Sequence, residues 1–457
     1  MRLLKLLILI LALLFLMYQL FLLVLTPPEF LRQPGKIEQA PKEVVAPQHK
    51  ALPSERIAQN ALHYINQLRH QLGLNPLQSN EKLGQAALNH SRYCVVNNIQ
   101  QHVQTPNLAD FTGKTPSDRA YAVGYPAGVN EVISFNRDSA KPFVDDLMSA
   151  IYHRLGLLDM TIDQIGTGVY RVDGKKPGAD SVASAFTAET SNLKLAELCQ
   201  NPIDPRPGEL AYKGICRGNV MIPKQAFDRA RYNIAHRNPK WIVWPQDGST
   251  VPPVFYEEMP DPLPECDASG YPVHIQINPI YWGRIAFVNG SFKLYRVEGQ
   301  QKTPVVIART MTNLNDPNHE SRGKKPEWYA LFPRLRLDWN AEYLAEVQTR
   351  EAGQITTHHW RFYTPKLSHL TRFRSSQGNH TPLPIKIGEI HHVYFEPHAC
   401  QAPRESQLKT RTPSYAQIKT RFIDGQTLQI QVIKARKGDK ILLDYVPTHT
   451  RITFQVS

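Results

Sequence analysis

The sequence predicts an α+β protein in which a mixed region of helices and strands is followed by two all-β domains. Residues 54–198 hold three segments with apolar residues at the helical spacing of three and four, and two short alternating segments. Beyond residue 240 the apolar residues alternate with a period of two between turn residues, which is typical of β-sandwiches. A chain of 457 residues is long enough for about three domains.

The mixed region carries the predicted helices. The first runs over residues 54–72, with Ser54 as its cap and Gly73 at its end. The second covers 83–96 and the third covers 142–157. Two strands are predicted at 165–172 and 183–190. We therefore place a mixed domain at 54–198, a connector with a short helix at 199–240, a sandwich at 241–365 and a basic β domain at 366–457.

The N-terminus predicts a membrane anchor. Residues 6–25 are apolar apart from Tyr18 and Gln19, and Arg2 and Lys5 precede them. Twenty helical residues span about 30 Å, the thickness of the bilayer hydrocarbon, and the preceding cations favour a cytoplasmic N-terminus. No Ala-x-Ala pattern follows, so we expect an uncleaved signal anchor at 1–26, with cleavage near Thr26 as the alternative. A polar, disordered spacer at 27–53 would then lead to an extracytoplasmic or periplasmic bulk.

Composition narrows the class of protein. A hydrophobic fraction of 42% excludes a wholly disordered or collagenous chain, and the single long apolar run excludes a multi-span membrane protein. The net charge of +13 suits anionic partners such as acidic lipid or an envelope polymer. Residues 366–457 contribute most of it, with fourteen Lys/Arg against six Asp/Glu. We expect no nucleic-acid partner, because no basic motif is interleaved with aromatics. A solvated hairpin at Gly438-Asp439 is the alternative explanation for the basic run around it.

The cysteines fit an oxidising compartment. Cys199 and Cys216 bracket a loop rich in proline and glycine, and we expect them to form a disulfide. Cys94 lies in an apolar helical stripe, where thiols usually pack inertly. The sequence leaves the pairing of Cys94, Cys266 and Cys400 open. No serine-hydrolase, zinc-protease or ATP-binding motif occurs.

Residues 57–190 contain a series of short motifs in a characteristic order. They are 66–69 with 72–77, 80–83 with Ala86-Ala87 and 90–94, Gln101-His102, Asn130-Glu131-Val132, Tyr152-His153-Arg154, and the Ile-Gly-Thr-Gly-Val run at 165–169. In order and spacing this stretch resembles the CAP superfamily (cysteine-rich secretory, antigen-five and pathogenesis-related proteins) in its bacterial form. The resemblance implies a three-layer α-β-α sandwich with a central cleft. Residues 241–365 resemble bacterial immunoglobulin-like modules.

The CAP resemblance also implies a site in the cleft. Two histidines and two acids converge there in the family, which assigns His102, Glu131 and His153 in this chain. Two neutral imidazoles and a carboxylate can hold Zn²⁺ and leave a position open for water or substrate, and they can also perform acid–base chemistry without a metal. The family's second acid is missing, because Ala150 occupies its register. Asp145 and Asp146 lie one to two turns earlier and are expected on a solvated helix face.

Other histidines are expected to be structural. His90 lies on the apolar side of the second helix and is predicted to be a core residue. His391 and His392 are neighbours near His398 and Cys400, but successive residues of a strand face opposite sides, which argues against a shared site.

The sequence thus favours a single-pass, membrane-anchored, extracytoplasmic CAP-domain protein. We expect a binding module whose cleft takes lipid, a divalent metal or an envelope or host partner. One alternative is a metal-dependent hydrolase acting on peptide or envelope polymer, and another is a structural envelope protein with a vestigial cleft. The sequence makes no prediction of the oligomeric state.

Overall fold

The computed structural model describes residues 53–178, 181–256, 258–319, 325–374, 381–397, 399–400 and 407–457. The predicted anchor at 1–26, nearly all of the predicted spacer, and His398 therefore lie outside the described residues. In the part of the chain that is described, no helix is long and apolar enough to cross a membrane.

The mixed region alternates helices with strands. In chain order its elements are α1 (Ser54–Gln71), β1 (Gln78–Ser79), α2 (Glu81–Asn97), α3 (Pro116–Ala122), β2 (Asn130–Phe135), α4 (Ala140–Ser149), α5 (Ile151–Leu157), β3 (Gln164–Arg171), β4 (Ser184–Ser191) and α6 (Leu193–Gln200). The strands form one sheet in the order β1-β3-β4-β2, in which only the β1–β3 pair is parallel.

Strand β3 shows how helices cover both faces of this sheet. A Cβ added at Gly166 or Gly168 would point into the backbone of α2. The residue between them, Thr167, donates its hydroxyl hydrogen to the carbonyl of Ala58 in α1, at 3.1 Å. Because successive residues of a strand face opposite sides, α1 and α2 lie on opposite faces of the sheet. Helix α4 packs on α1. The predicted three-layer α-β-α sandwich is confirmed.

Two local predictions are corrected by the structure. Pro53, not Ser54, occupies the cap position of α1, and no side chain caps that end. The single helix predicted at 142–157 is instead two helices, because Ala150 between them has an extended backbone with ψ of 129°. The amides of Ile151 and Tyr152 donate to the carboxylate of Glu258, which thereby caps the N-terminus of the second helix.

The next region contains a short connector and a β-sandwich. The connector holds β5 (Ala211–Lys213), β6 (Met221–Pro223) and α7 (Lys224–Ala235). The sandwich strands are β7 (Trp241–Trp244), β8 (Val254–Phe255), β9 (Ser269–Gly270), β10 (Val273–Ile277), β11 (Ile285–Phe287), β12 (Lys293–Glu298), β13 (Gln301–Pro304), β14 (Ile307–Thr312), β15 (Trp328–Pro333), β16 (Glu342–Glu351) and β17 (Gln354–Tyr363), with a 3₁₀ turn at Pro279–Tyr281. One sheet has the order β14-β15-β10-β7, and the other has β11-β16-β12-β13 with β17 beside β16.

The last region is a second all-β domain with its own core. Its strands are β18 (Leu370–Arg374), β19 (Leu383–Ile385), β20 (Ile390–Glu396), β21 (Leu408–Arg411), β22 (Gln417–Asp424), β23 (Thr427–Lys434), β24 (Lys440–Tyr445) and β25 (Thr450–Val456), with a 3₁₀ turn at Val446–Thr448. They form two four-stranded sheets, β18-β20-β23-β22 and β19-β25-β24-β21. Alternate residues such as Leu428, Ile430 and Val432 face a common apolar core.

The three regions are joined by more than the chain itself. Apolar side chains of the mixed region and of the first sandwich form one continuous buried cluster. Arg154 is fully buried between them and donates to the carbonyl of Pro272 at 2.8 Å. A disulfide links Cys266 of the first sandwich to Cys400 of the second. The predicted Cys199–Cys216 disulfide is confirmed, and Cys94 is a free, buried thiol.

Candidate functional site

His102 lies in the segment between α2 and α3, and its ring is held in place by Glu131. The Nδ1 atom is 2.9 Å from Oε1 of Glu131, at the start of β2. The carbonyl of His102 accepts from the guanidinium of Arg119 at 3.1 Å. A proton on Nδ1 donates to the carboxylate, so the lone pair of Nε2 is available.

Glu131 is the centre of a buried charge network. Its Oε2 accepts a hydrogen bond from Arg119, whose side chain is fully buried, and its Oε1 lies 3.7 Å from Nε2 of His90. Burial disfavours the ionised carboxylate, but His90, His102 and Arg119 outweigh it and lower the pKa of Glu131 to about 2. Glu131 is therefore ionised in the folded protein. His90 is buried as predicted, with Nε2 3.0 Å from the carbonyl of Gln101.

A second buried carboxyl faces the first. Glu189 on β4 is the register partner of Glu131 on β2. Burial, together with the negative charge of Glu131, raises the pKa of Glu189 well above its ordinary value. Its Oε1 lies 3.9 Å from the same Arg119 nitrogen that binds Glu131. The pair thus carries one negative charge against one guanidinium charge.

His153 on α5 has a carboxylate behind it as well. Its Nδ1 lies 3.4 Å from Oε2 of Glu258, a residue between β8 and β9 in the first sandwich. Glu258 is buried and accepts from the amides of Ile151, at 2.5 Å, and Tyr152, at 3.0 Å. It therefore provides an acid beside Ala150, where the CAP resemblance shows one missing. Sequence reasoning missed Glu258, which follows Tyr152 by 106 residues and belongs to another domain.

The two histidines face each other across the cleft. Their ring centroids are 5.8 Å apart and their planes are inclined by 30°. Each imidazole has a carboxylate near its Nδ1 atom: His102–Glu131 is hydrogen-bonded, whereas in His153–Glu258 the two atoms are 3.4 Å apart without a hydrogen bond. We refer to the two pairs as histidine–carboxylate dyads. In the described part of the chain, His102, Glu131 and His153 do not bring one ligand atom each within 4.8 Å of one another. The reason is that Glu131 is turned toward Arg119 and lies behind the His102 ring.

The cleft around the dyads has a volume of about 850 Å³ and a lining of both polar and apolar surface. Polar side chains at its wall include Gln100, Ser134, Asn136, Arg137 and Asp146. Apolar contributions come from Ile133, Leu147 and Met259. Such a lining can contact both the polar groups and the apolar parts of a ligand.

Comparison with known proteins identifies the region that builds this cleft. Residues 62–177 match the family described as "CAP: Cysteine-rich secretory protein family". These residues form a CAP domain. The fold as a whole is this domain followed by a β-rich C-terminal region. A search of curated proteins finds no match.

Solved structures similar to the chain are distant from it. An extracellular protein containing an SCP domain from Bacillus anthracis str. Ames is 20% identical, with a TM-score of 0.25 over 30% of this chain and 40% of that one. The chain thus matches less than half of that protein. An outer surface protein from Borrelia burgdorferi is 18% identical, with a TM-score of 0.25 over 31% of this chain and 96% of that one. Titin Ig tandem domains are 9% identical, with a TM-score of 0.15 over 41% of this chain and 86% of that one.

Proposed function

We propose that the CAP cleft binds a divalent cation through His102 and His153 and, together with that cation, holds a ligand of the cell envelope. The observation that carries the proposal is the pair of dyads, in which carboxylates lie 2.9 Å and 3.4 Å from the Nδ1 atoms of two facing imidazoles. Histidines that bind metals usually have a carboxylate or carbonyl at their other nitrogen, which fixes the tautomer and raises the basicity of the ligand atom. Imidazole ligands suit Zn²⁺.

The donor set fits such an ion in a particular way. Nε2 of His102 and Nε2 of His153 would hold it, while Glu131 and Glu258 would orient the rings from behind. Two protein ligands leave coordination positions for water or for an oxygen of the ligand. A bound cation would attract an anionic or hydroxyl oxygen, and the mixed polar and apolar wall of the cleft would contact the rest of the molecule.

Binding is better supported than hydrolysis. Both carboxylates of the dyads are buried and engaged, Glu131 by Arg119 and His102, and Glu258 by the amides that begin α5. A carboxylate that acts as general base must be free to accept a proton from water, and these carboxylates are committed elsewhere, while the Nε2 atoms of the two imidazoles are the proposed cation ligands. Two disulfides support a location outside the cytoplasm. We propose that residues 1–26 anchor the protein there.

The test is Zn²⁺ titration of the full chain by calorimetry, with the double variant His102→Ala/His153→Ala beside it. The double variant is expected to bind one equivalent of Zn²⁺ fewer, because both proposed ligands are gone. His63→Ala is the matched control, since this exposed histidine on α1 lies 3.0 Å from the amide of Gln67 and does not line the cleft. An unchanged stoichiometry and affinity in the double variant would refute the metal site.

A second prediction concerns Glu258. Glu258→Gln is expected to weaken Zn²⁺ binding at the cleft about 10–100-fold, the usual effect of removing a carboxylate behind a ligating histidine. The amide oxygen of glutamine can still accept from Ile151 and Tyr152, so α5 should persist. Glu265→Gln is the control, because Glu265 lies in the same segment but pairs with Arg309 at 3.1 Å. Equal Zn²⁺ affinities of Glu258→Gln and Glu265→Gln would show that the His153–Glu258 dyad is not part of the site.

A further inference from the structure

Three potential metal ligands meet in the C-terminal β domain, far along the chain from the CAP cleft. One ligand atom from each of His369, Glu389 and His391 lies within 4.8 Å of the others. No other group of three histidine, cysteine, aspartate or glutamate side chains in the described ranges meets this criterion.

The strand register explains why these residues meet. Strands β18 and β20 are parallel, with Leu370 beside His392. The amide of His392 donates to the carbonyl of His369 at 3.2 Å, which continues the pairing one residue beyond β18. His369 is therefore the neighbour of His391, and their rings stack with centroids 4.7 Å apart. Glu389 precedes His391 by two residues, a spacing that places both side chains on the same face.

The environment of His391 favours the binding of a metal ion. It is only 9% exposed, and its Nε2 atom is buried without a hydrogen-bond partner among the described residues. The carboxylate of Glu389 lies 3.5 Å away, beyond a hydrogen bond. A buried imidazole nitrogen that makes no hydrogen bond is costly, so the native state gains if a cation occupies the space between these groups.

We propose that His369, Glu389 and His391 form a second divalent-cation site that is independent of the CAP cleft. Two imidazoles and a carboxylate suit Zn²⁺, which binds them at about 2.0–2.2 Å and takes water as a fourth ligand. Ligand atoms on a tetrahedral ion lie about 3.4 Å apart, so separations of up to 4.8 Å must contract by at most about 1.4 Å. His369 is exposed and can make that movement.

The surroundings permit this contraction. Glu389 also faces Lys386 at 3.3 Å, but exposed pairs of this kind contribute little, and the lysine can turn into solvent. His392 takes no part, since its Nδ1 lies 2.8 Å from the carbonyl of Ser368.

The experiment uses the full chain carrying His102→Ala/His153→Ala, so that the cleft contributes no Zn²⁺ binding. Calorimetric titration of this parent should show one remaining site. Adding His369→Asn should weaken that site at least tenfold. Asparagine suits position 369, where the backbone has a positive φ of 46°. His391→Ala is avoided as the main variant because His391 is buried.

Two further measurements make the outcome decisive. Zn²⁺ should raise the melting temperature of the parent but not of the His369→Asn or Glu389→Gln variants, because only an intact site stabilises the folded state by binding. His63→Ala in the same parent is the control. The proposal is overturned if His369→Asn and Glu389→Gln bind Zn²⁺ as the parent does, or if the parent binds none. Either result would leave the proposed CAP cleft site untouched, because the cleft histidines are absent throughout.

Discussion

Replacing both Glu131 and Glu189 with glutamine is expected to lower the free energy of unfolding by about 3–5 kcal/mol, the usual cost of leaving a buried charge without its partner. Arg119 is 0% exposed, and these carboxyls are the acids that face its guanidinium. With both neutralised, the cation would remain in the protein interior uncompensated. Urea unfolding at pH 7 with a chelator present measures the difference.

The single variants separate the two carboxyls. Glu189→Gln is expected to change stability by no more than about 1 kcal/mol at low pH, because Glu189 is already neutral in the fold. Glu131→Gln should lower the free energy of unfolding by more than Glu189→Gln does and by less than the double variant does. The reason is that Glu189 lies 3.9 Å from Arg119 and can ionise in place of Glu131. A double variant as stable as the wild type would contradict the shared-charge description.

The same pair predicts a dependence on pH. The pKa of Glu189 is raised above its ordinary value of 4.5, so its contribution to stability is full below that value and is lost as the pH rises toward the raised pKa. Over that window the wild type should lose about 1.4 kcal/mol per pH unit relative to Glu189→Gln. The lowered pKa of Glu131 acts in the opposite sense, and its contribution is lost only as the pH falls toward about 2.

Gly166→Ala is expected to cost more than about 3 kcal/mol or to prevent folding, because the added methyl group would overlap backbone atoms. Its Cβ would lie 2.0 Å from the amide nitrogen of Gly84 and 2.0 Å from the carbonyl carbon of Leu83. Both atoms belong to α2, which would have to move off the sheet. Thermal unfolding of the purified variant, or its loss to inclusion bodies, reports the effect.

Gly283→Ala is the matched control for this substitution. A Cβ at Gly283 meets no atom within 4 Å, and its backbone needs no positive φ, so we expect a small change in melting temperature. A Gly166→Ala variant that melts as the wild type does would mean that α2 does not pack on β3 at this distance.

The periodicity of apolar residues was sufficient to predict most helices and strands, but not the break within the helix predicted at 142–157. Predicted segments at 83–96 and 165–172 correspond to Glu81–Asn97 and Gln164–Arg171, because apolar periodicity reflects which face of an element is buried. The break at Ala150 was not predictable. It depends on Glu258, a residue far along the chain. Its carboxylate accepts hydrogen bonds from the amides of Ile151 and Tyr152, which a continuous helix would have bonded internally.

The candidate sites show the same division. The CAP resemblance assigned His102, Glu131 and His153 to one cleft, and the structure places the two rings 5.8 Å apart with Glu131 behind the first. Strand alternation separated His391 from His392 correctly. It could not show that His369 lies beside His391, because parallel pairing between β18 and β20 is a tertiary relation.

Glu258 makes the CAP cleft depend on the sandwich that follows it in the chain. Replacing the sandwich after residue 240 would also remove one acid of the cleft. Expression fragments face the same constraint: one ending at residue 198 would retain His153 without its carboxylate and leave the amides of Ile151 and Tyr152 uncapped. A fragment that keeps the cleft intact must therefore extend past residues 62–177, which match the CAP family, and include Glu258.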